Sequence, residues 1–207
     1  MSTLVREKAR GTVAHRYLLL SVIFVLSVPV TFAQRTEFDI LKGNDVVGKI
    51  LATRSTSGER TLYLMTSYSE FDIVAKQVVR STMAAEYSGS VLSMCHLNMY
   101  INGSMRDSSH MVHRSGRGDC YVHPKKRFLH EGAVEWTTAR MYFEEPVDQP
   151  SIFVESVLKH CPLVRTGAGK YRLDLPGAKS NHYAYEDGIL REIRVDRALF
   201  DLVFKRT

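Results

Sequence analysis

The sequence is short of the residues from which most chemistry is built. It has three cysteines, Cys95, Cys120 and Cys161, and none stands at C-x-x-C spacing. Neither a zinc site nor a dithiol redox site is therefore expected. No G-x-S-x-G, no G-x-x-x-x-G-K and no dinucleotide fingerprint occurs, so the α/β-hydrolase, P-loop and Rossmann signatures are all missing. No basic stripe laced with aromatics is present, and nucleic acid is not an expected partner. After Gln34 there is no repeat, no low-complexity tract and no linker. No catalytic residue, metal or cofactor is assigned.

One apolar run stands out. Arg6, Lys8, Arg10 and Arg16 precede Tyr17 to Val30, which is interrupted only by Ser21, Ser27 and Pro29. Thr31-Phe32-Ala33 then places small residues at the third-last and last positions before a cut. That order is the one of a secretory signal peptide over 1–33, cleaved to leave a single antiparallel β domain over 34–207. The run falls short of the about 20 apolar residues that a membrane span needs. The alternative is an uncleaved N-terminal anchor, since the leader is long. No cysteine follows the run, so a lipid-anchored start is not expected. Export to the periplasm or cell envelope follows as an expectation. The four cations of the leader and Glu7 account for +3 of the formal +6, so much of the basic balance belongs to the leader.

The remainder reads as β-strand. Asn102-Gly103 between two strand-like runs is the strongest hairpin signal, because a type I′ turn needs positive φ at both central residues. A plain two-residue turn would set Ile101 against Ser104, Tyr100 against Met105, Asn98 against Asp107, His96 against Ser109 and Cys95 against His110. It would also put Tyr100, Met105, Met94 and Met111 on one face, and Cys120 on the opposite face from Cys95. The cysteines then read as three small buried hydrophobes. Asp187-Gly188 is a second hairpin turn, after which Ile189, Ile193 and Val195 share one face. Gly48 inside a strand predicts a bulge or a close backbone approach. Phe71 to Tyr87 reads as one long strand, and the last strand points Phe200, Leu202 and Phe204 to one side. His123 to His130 reads as a basic loop, with a contact for anionic head groups as its sharper alternative.

Gly132 to Phe143 lacks clean alternation. Thr137 can cap a first turn and Pro146 ends the segment, so a short helix is expected there. The predicted fold is mainly β, an antiparallel β-roll or open half-barrel of roughly eleven strands with one short helix packed on the sheet.

Tyr142-Phe143-Glu144-Glu145-Pro146, Phe153-Val154-Glu155, Gly169-Lys170-Tyr171, Leu175-Pro176-Gly177 and Asn181-His182-Tyr183-Ala184-Tyr185 with Gly188 follow in a familiar order. So does Phe38-Asp39-Ile40 with Gly43 and Gly48. This pattern resembles an uncharacterised bacterial family of exported proteins, catalogued as a domain of unknown function. The resemblance implies no activity. The strand order with one mid-chain helix is similar, at fold level only, to the half-barrels of periplasmic lipoprotein carriers.

Three functional readings follow. The first is an exported, non-enzymatic protein that binds an apolar or amphipathic ligand, such as a lipid, or another envelope component. Tyr142, Phe143, Tyr183 and Tyr185 are its candidate lining. The second is a hydrolase using Glu144, Glu145, Glu155 or the hairpin histidines; apart from it, Cys95 and His110 with one loop histidine form a candidate metal set. The third is a purely structural or protein-binding module. Convergent ionisable groups in a cavity favour the second, an apolar cavity the first, and a filled interior the third.

Overall fold

The computed structural model describes residues 32–72, 75–114, 116–196 and 201–207. Most of the expected leader lies outside the described residues. Phe32 and Ala33 are seen as the first residues of a strand, paired with Thr56 and Ser55. Ile73, Val74 and Phe200 also lie outside them.

The chain first runs out through eight strands: β1 (Phe32–Lys42), β2 (Asp45–Ser57), β3 (Arg60–Asp72), β4 (Lys76–Ser88), β5 (Val91–Ile101), β6 (Ser104–Arg114), β7 (Arg117–Val122) and β8 (Lys126–Glu131). It returns through six: β9 (Ser151–Val154), β10 (Lys159–Gly167), β11 (Lys170–Leu175), β12 (Lys179–Glu186), β13 (Ile189–Val195) and β14 (Leu202–Arg206). All fourteen form one sheet, in which β1 joins the two runs by pairing with both β2 and β14. Every ladder is antiparallel. The strands β8 and β9 are the two edges and are not hydrogen-bonded to each other, so the sheet is open.

Alternation writes the interior directly into rows across the strands. One inward row reads Tyr63, Ala85, Cys95, Met111, Cys120 and Phe128 from β3 to β8. Another reads Ile40, Phe204, Ile193, Tyr183 and Tyr171 from β1 through β14 to β11. The sheet curls until its edges meet through side chains. His130 on β8 packs 5.1 Å from the Phe153 ring of β9 and 5.6 Å from His160 of β10. Ser109 on β6 donates to the Glu155 carbonyl at 2.6 Å. Ile152, Phe153 and Val154 are all buried, so β9 is covered on both faces.

The β8–β9 connection threads this interior. It is not the expected helix. Among the described residues the only helical turn is the 3-10 turn Arg140–Tyr142. Thr137 does accept from the Arg140 N–H at 3.4 Å, as a cap would. The free edge of β9 offers a better partner to the preceding residues. Phe153 N–H donates to Trp136 at 2.9 Å, and Thr138 N–H to Phe153 at 3.2 Å. On the far side Leu92 N–H of β5 donates to Val134 at 2.8 Å. The segment thus satisfies its backbone as a strand-like stitch between the start of β5 and the free edge of β9, which a helix cannot do.

Several sequence expectations are corrected here. Phe71 ends β3 rather than opening a single strand to Tyr87. The expected basic loop holds the edge strand β8. Asn102 and Gly103 do have positive φ, 51° and 82°, but a bulge between Met99 and Tyr100 shifts the ladder beyond the turn. Cys95 therefore faces Met111, His96 faces His110, and Asn98 faces Ser108. Met111 and Cys120 share the inner face with Cys95, while Met94, Tyr100 and Met105 are exposed. Ile189 is exposed and Leu190 takes the inward position, after a second bulge between Ala184 and Tyr185.

Candidate functional site

The connection ends as a plug whose tip is Tyr142. Four side chains around the roll fix it. Tyr185 of β12 donates to the Met141 carbonyl at 2.7 Å. Tyr87 of β4 donates to the Thr137 hydroxyl at 3.0 Å. Phe38 of β1 receives Tyr142 edge-on, with centroids 5.4 Å apart. Glu155, fully buried, accepts from Ala139 N–H at 2.9 Å and from Thr138 N–H at 3.2 Å, and from the Thr138 hydroxyl. Burial pushes the Glu155 carboxyl above its ordinary range, and pushes the Tyr142 and Tyr185 phenols up as well. The phenols stay protonated donors at any physiological pH.

Tyr142 separates two cavities that lie on the inner face. The first, about 340 Å³, is bounded by Gln34 and Thr36 of β1, Leu190 of β13, Arg206 of β14, and Tyr142 with Phe143, and is also bordered by the exposed Arg35 and Ile189. The second, about 170 Å³, lies farther along the same strands. Met83, Leu97, Leu175, Ile193, Val195 and Phe204 give it apolar walls, with Tyr142, Tyr183, Thr138 and Asn181. Phe204 and Arg206 lie two residues apart on β14, so the cavities are stacked along the roll on either side of the plug. A third space of about 450 Å³, beside Lys170, His182, Arg194 and Asp196, carries mixed charge.

The four candidate lining residues are thus parted. Tyr142 borders both inner cavities, Phe143 the larger and Tyr183 the smaller. Tyr185 lines neither and holds the plug in place. Tyr142, Tyr183 and Tyr185 are buried, and Phe143 is half-buried.

The acids do not converge on one point. Glu144 takes a two-nitrogen contact from Arg140 at 2.7 and 2.8 Å, a contact from Arg54 at 3.2 Å and a hydrogen bond from Tyr63 at 3.0 Å. Glu145 accepts from Tyr171 at 2.7 Å. Glu155 is taken up by the plug. Burial and Glu144 together push Tyr63 up to about 12. Cys95 points inward, whereas His110 stacks on Tyr121 outside, with ring centroids 5.2 Å apart. Their pairing as metal ligands is ruled out by the shifted register. Among the described residues no group of three or more His, Cys, Asp or Glu is placed to hold a metal ion. Ser180, His182 and Asp196 lie together, but Ser180 and Asp196 both approach His182 Nε2, at 3.3 and 3.1 Å, and Ser180 also bonds Asp196 at 2.9 Å. A relay needs the acid on one ring nitrogen and the serine on the other.

Thr36, Leu190, Asn181 and Arg206 escaped the sequence reading. For Arg206 a signal existed: Leu202, Phe204 and Arg206 follow at period two, so a strand with Leu202 and Phe204 inward places Arg206 inward too.

Comparison with curated proteins finds none that matches. Among solved structures the chain is similar to a beta-barrel-like protein of domain of unknown function DUF1849 from Brucella abortus. The TM-score is 0.52 at 11% identity, over 87% of this chain and 98% of that one, a likeness of fold alone. Residues 38–207 match the family described as domain of unknown function DUF6134, and the chain belongs to that family.

Proposed function

We propose that the protein is an exported, non-enzymatic component of the periplasm or cell envelope that holds an apolar or amphipathic ligand inside its rolled sheet. Tyr142, Phe143 and Tyr183 contact the ligand, and Tyr185 keeps the plug in position. The observation that carries this reading is the pair of inner cavities on either side of Tyr142. The larger, about 340 Å³, falls within the roughly 300–1,000 Å³ of small-molecule pockets. The smaller has largely apolar walls, from half-buried Leu97 and Phe204 to buried Ile193 and Val195, and an apolar cavity of about 150 Å³ is enough for a benzene-sized group. The dispersal of Glu144, Glu145 and Glu155 among separate partners supports binding over hydrolysis. The basic leader and apolar run before Ala33 support export.

Titration of the purified protein with fluorescent fatty acyl probes tests the binding. Saturable uptake that is weakened by a Phe143→Asp or Leu190→Asp change is expected. No saturable binding to any probe would leave a structural or protein-binding role. Export has its own test. N-terminal sequencing of fractionated cells should find Gln34 at the amino terminus, whereas an intact Met1 in the membrane fraction would mean an anchor.

A further inference from the structure

We propose that the larger inner cavity selects an anionic amphiphile, seating its carboxylate or phosphate head on Arg206 and the start of its tail against Phe143, Leu190 and Tyr142. This rests on the ligand-binding reading above and gives it a chemical class.

Arg206 is an unusual residue in its place. It sits at the inward-facing end of the last strand, on the row that contains Phe38 and Ile50. It is half-buried and lines the cavity. Among the described residues no carboxylate lies within ion-pair distance of it. The neighbouring cations are already spent. Arg35, which also borders this cavity, is paired with Glu37 at 2.6 Å, and Arg191 with Glu186 at 3.3 Å. Arg191 instead repels Arg206. Together with burial, which is the larger cause, that repulsion lowers the Arg206 pKa below its ordinary value.

A partly desolvated guanidinium without a counter-charge is costly to keep. The same cavity holds a second unmatched group. Thr36 is only 5% exposed, and its hydroxyl has no hydrogen-bond partner among the described residues. A planar cation with five donors and a hydroxyl donor beside it fit an oxyanion, which accepts from both. Tyr142, Phe143, Leu190 and Ile189 give the cavity an aromatic and aliphatic wall. A free inorganic anion would leave that wall unused, and a neutral lipid would leave Arg206 unpaired. An anion with an apolar tail satisfies both.

The test is a calorimetric or probe-displacement series with dodecanoate, dodecyl phosphate, dodecanol and inorganic phosphate. The full mature chain, wild type and Arg206→Gln, is used. The wild type is expected to prefer the two anionic amphiphiles over dodecanol on the order of tenfold to a hundredfold, the range of a charge-assisted hydrogen bond. Arg206→Gln should abolish that preference, bringing the anionic affinities down to the level of dodecanol. The two anionic probes distinguish a carboxylate from a phosphate source. Thr36→Val serves as an independent variant. It should weaken anionic binding severalfold while raising stability, because it removes an unpaired hydroxyl. Equal affinity for anionic and neutral probes, or a preference that survives Arg206→Gln, overturns the head-group assignment and leaves the chamber standing. Competition by inorganic phosphate alone at similar strength overturns the tail. Failure of every probe removes the chamber itself.

Discussion

Tyr142 stands edge-on to Phe38, ring planes at 86° and centroids 5.4 Å apart. That contact joins the tip of the plug to β1, the strand where the two runs of the sheet meet. It also makes Tyr142 the partition between two cavities. Edge-to-face pairs contribute about 0.5–1.5 kcal/mol beyond their buried area. Replacing Tyr142 by Ala removes the pair and leaves a void, at a cost of about 3–5 kcal/mol. Urea unfolding measures it. In binding the direction reverses: the two cavities fuse, and the longest acyl probe accepted should lengthen. An unchanged chain-length profile would show that Tyr142 is not the partition.

Glu155 ties the plug to β9 from below. Its folded-state pKa is raised, chiefly by burial, so in the pH window just above the ordinary carboxylate range the native state holds a proton that the unfolded state has lost. Stability is full below that range and falls as pH rises through the window. Glu155→Gln should flatten this dependence in thermal unfolding curves taken from pH 4 upward. Glu155→Ala leaves the Ala139 N–H and the Thr138 hydroxyl without their acceptor and the Thr138 N–H with only the Phe153 carbonyl, and should cost about 2–4 kcal/mol at every pH. A wild-type stability that rises steadily over that window would contradict the sign.

The turns were legible because their chemistry is local. Asn102-Gly103 and Asp187-Gly188 adopt positive φ as their residue types require. The bulge beside Gly48, where the ladder shifts between Ile40 and Leu41, was legible from that strand glycine; those beside Tyr100 and Tyr185 have no such residue to mark them and were not. One bulge beyond Tyr100 moved Cys95 from His110 to Met111 and reversed the faces of Met94 and Met111. The plug was misread for a related reason. Thr137 and Arg140 begin a helical turn, but the free edge of β9, distant in sequence, takes the preceding backbone instead. The site was half legible: aromatic candidates were found, and the period-two run Leu202, Phe204 and Arg206 marks Arg206 as inward, but the cavity it borders is closed by β1, far away in sequence.

Gly48 shows how closely two strands approach. A Cβ there would lie 2.2 Å from the Tyr68 carbonyl oxygen and 2.5 Å from Ser69 Cα, both backbone atoms of β3. Gly48→Ala must push the strands apart and should cost about 1–3 kcal/mol, as overpacking does. Gly58→Ala is the comparison. Its φ is +58° with open space around it, so only the left-handed backbone penalty of about 1–2 kcal/mol applies. Guanidinium unfolding of both should rank Gly48→Ala as the more damaging, with a changed amide spectrum around Tyr68. An equal ranking would mean that the strands yield freely there.

The three cysteines are free and buried, and two of them flank Met111 on the inner row. Burial pushes the Cys120 thiol up to about 11 and raises Cys95 and Cys161 as well. The thiolate is the reacting form, so at pH 8 all three should resist an aromatic disulfide reagent in the native protein. All three should react at once in guanidinium, and the intact mass should correspond to three reduced thiols. The same shift sets an alkaline limit. Because folding holds the Cys120 proton, stability is full below its ordinary pKa of 9.0 and declines as pH rises toward about 11. Cys120→Ala should soften that decline at the expense of some packing, measured by denaturation at pH 8 and pH 10. Rapid labelling of Cys120 in the native state at pH 8 would mean that the roll opens along β8, whose outer edge meets β9 through side chains.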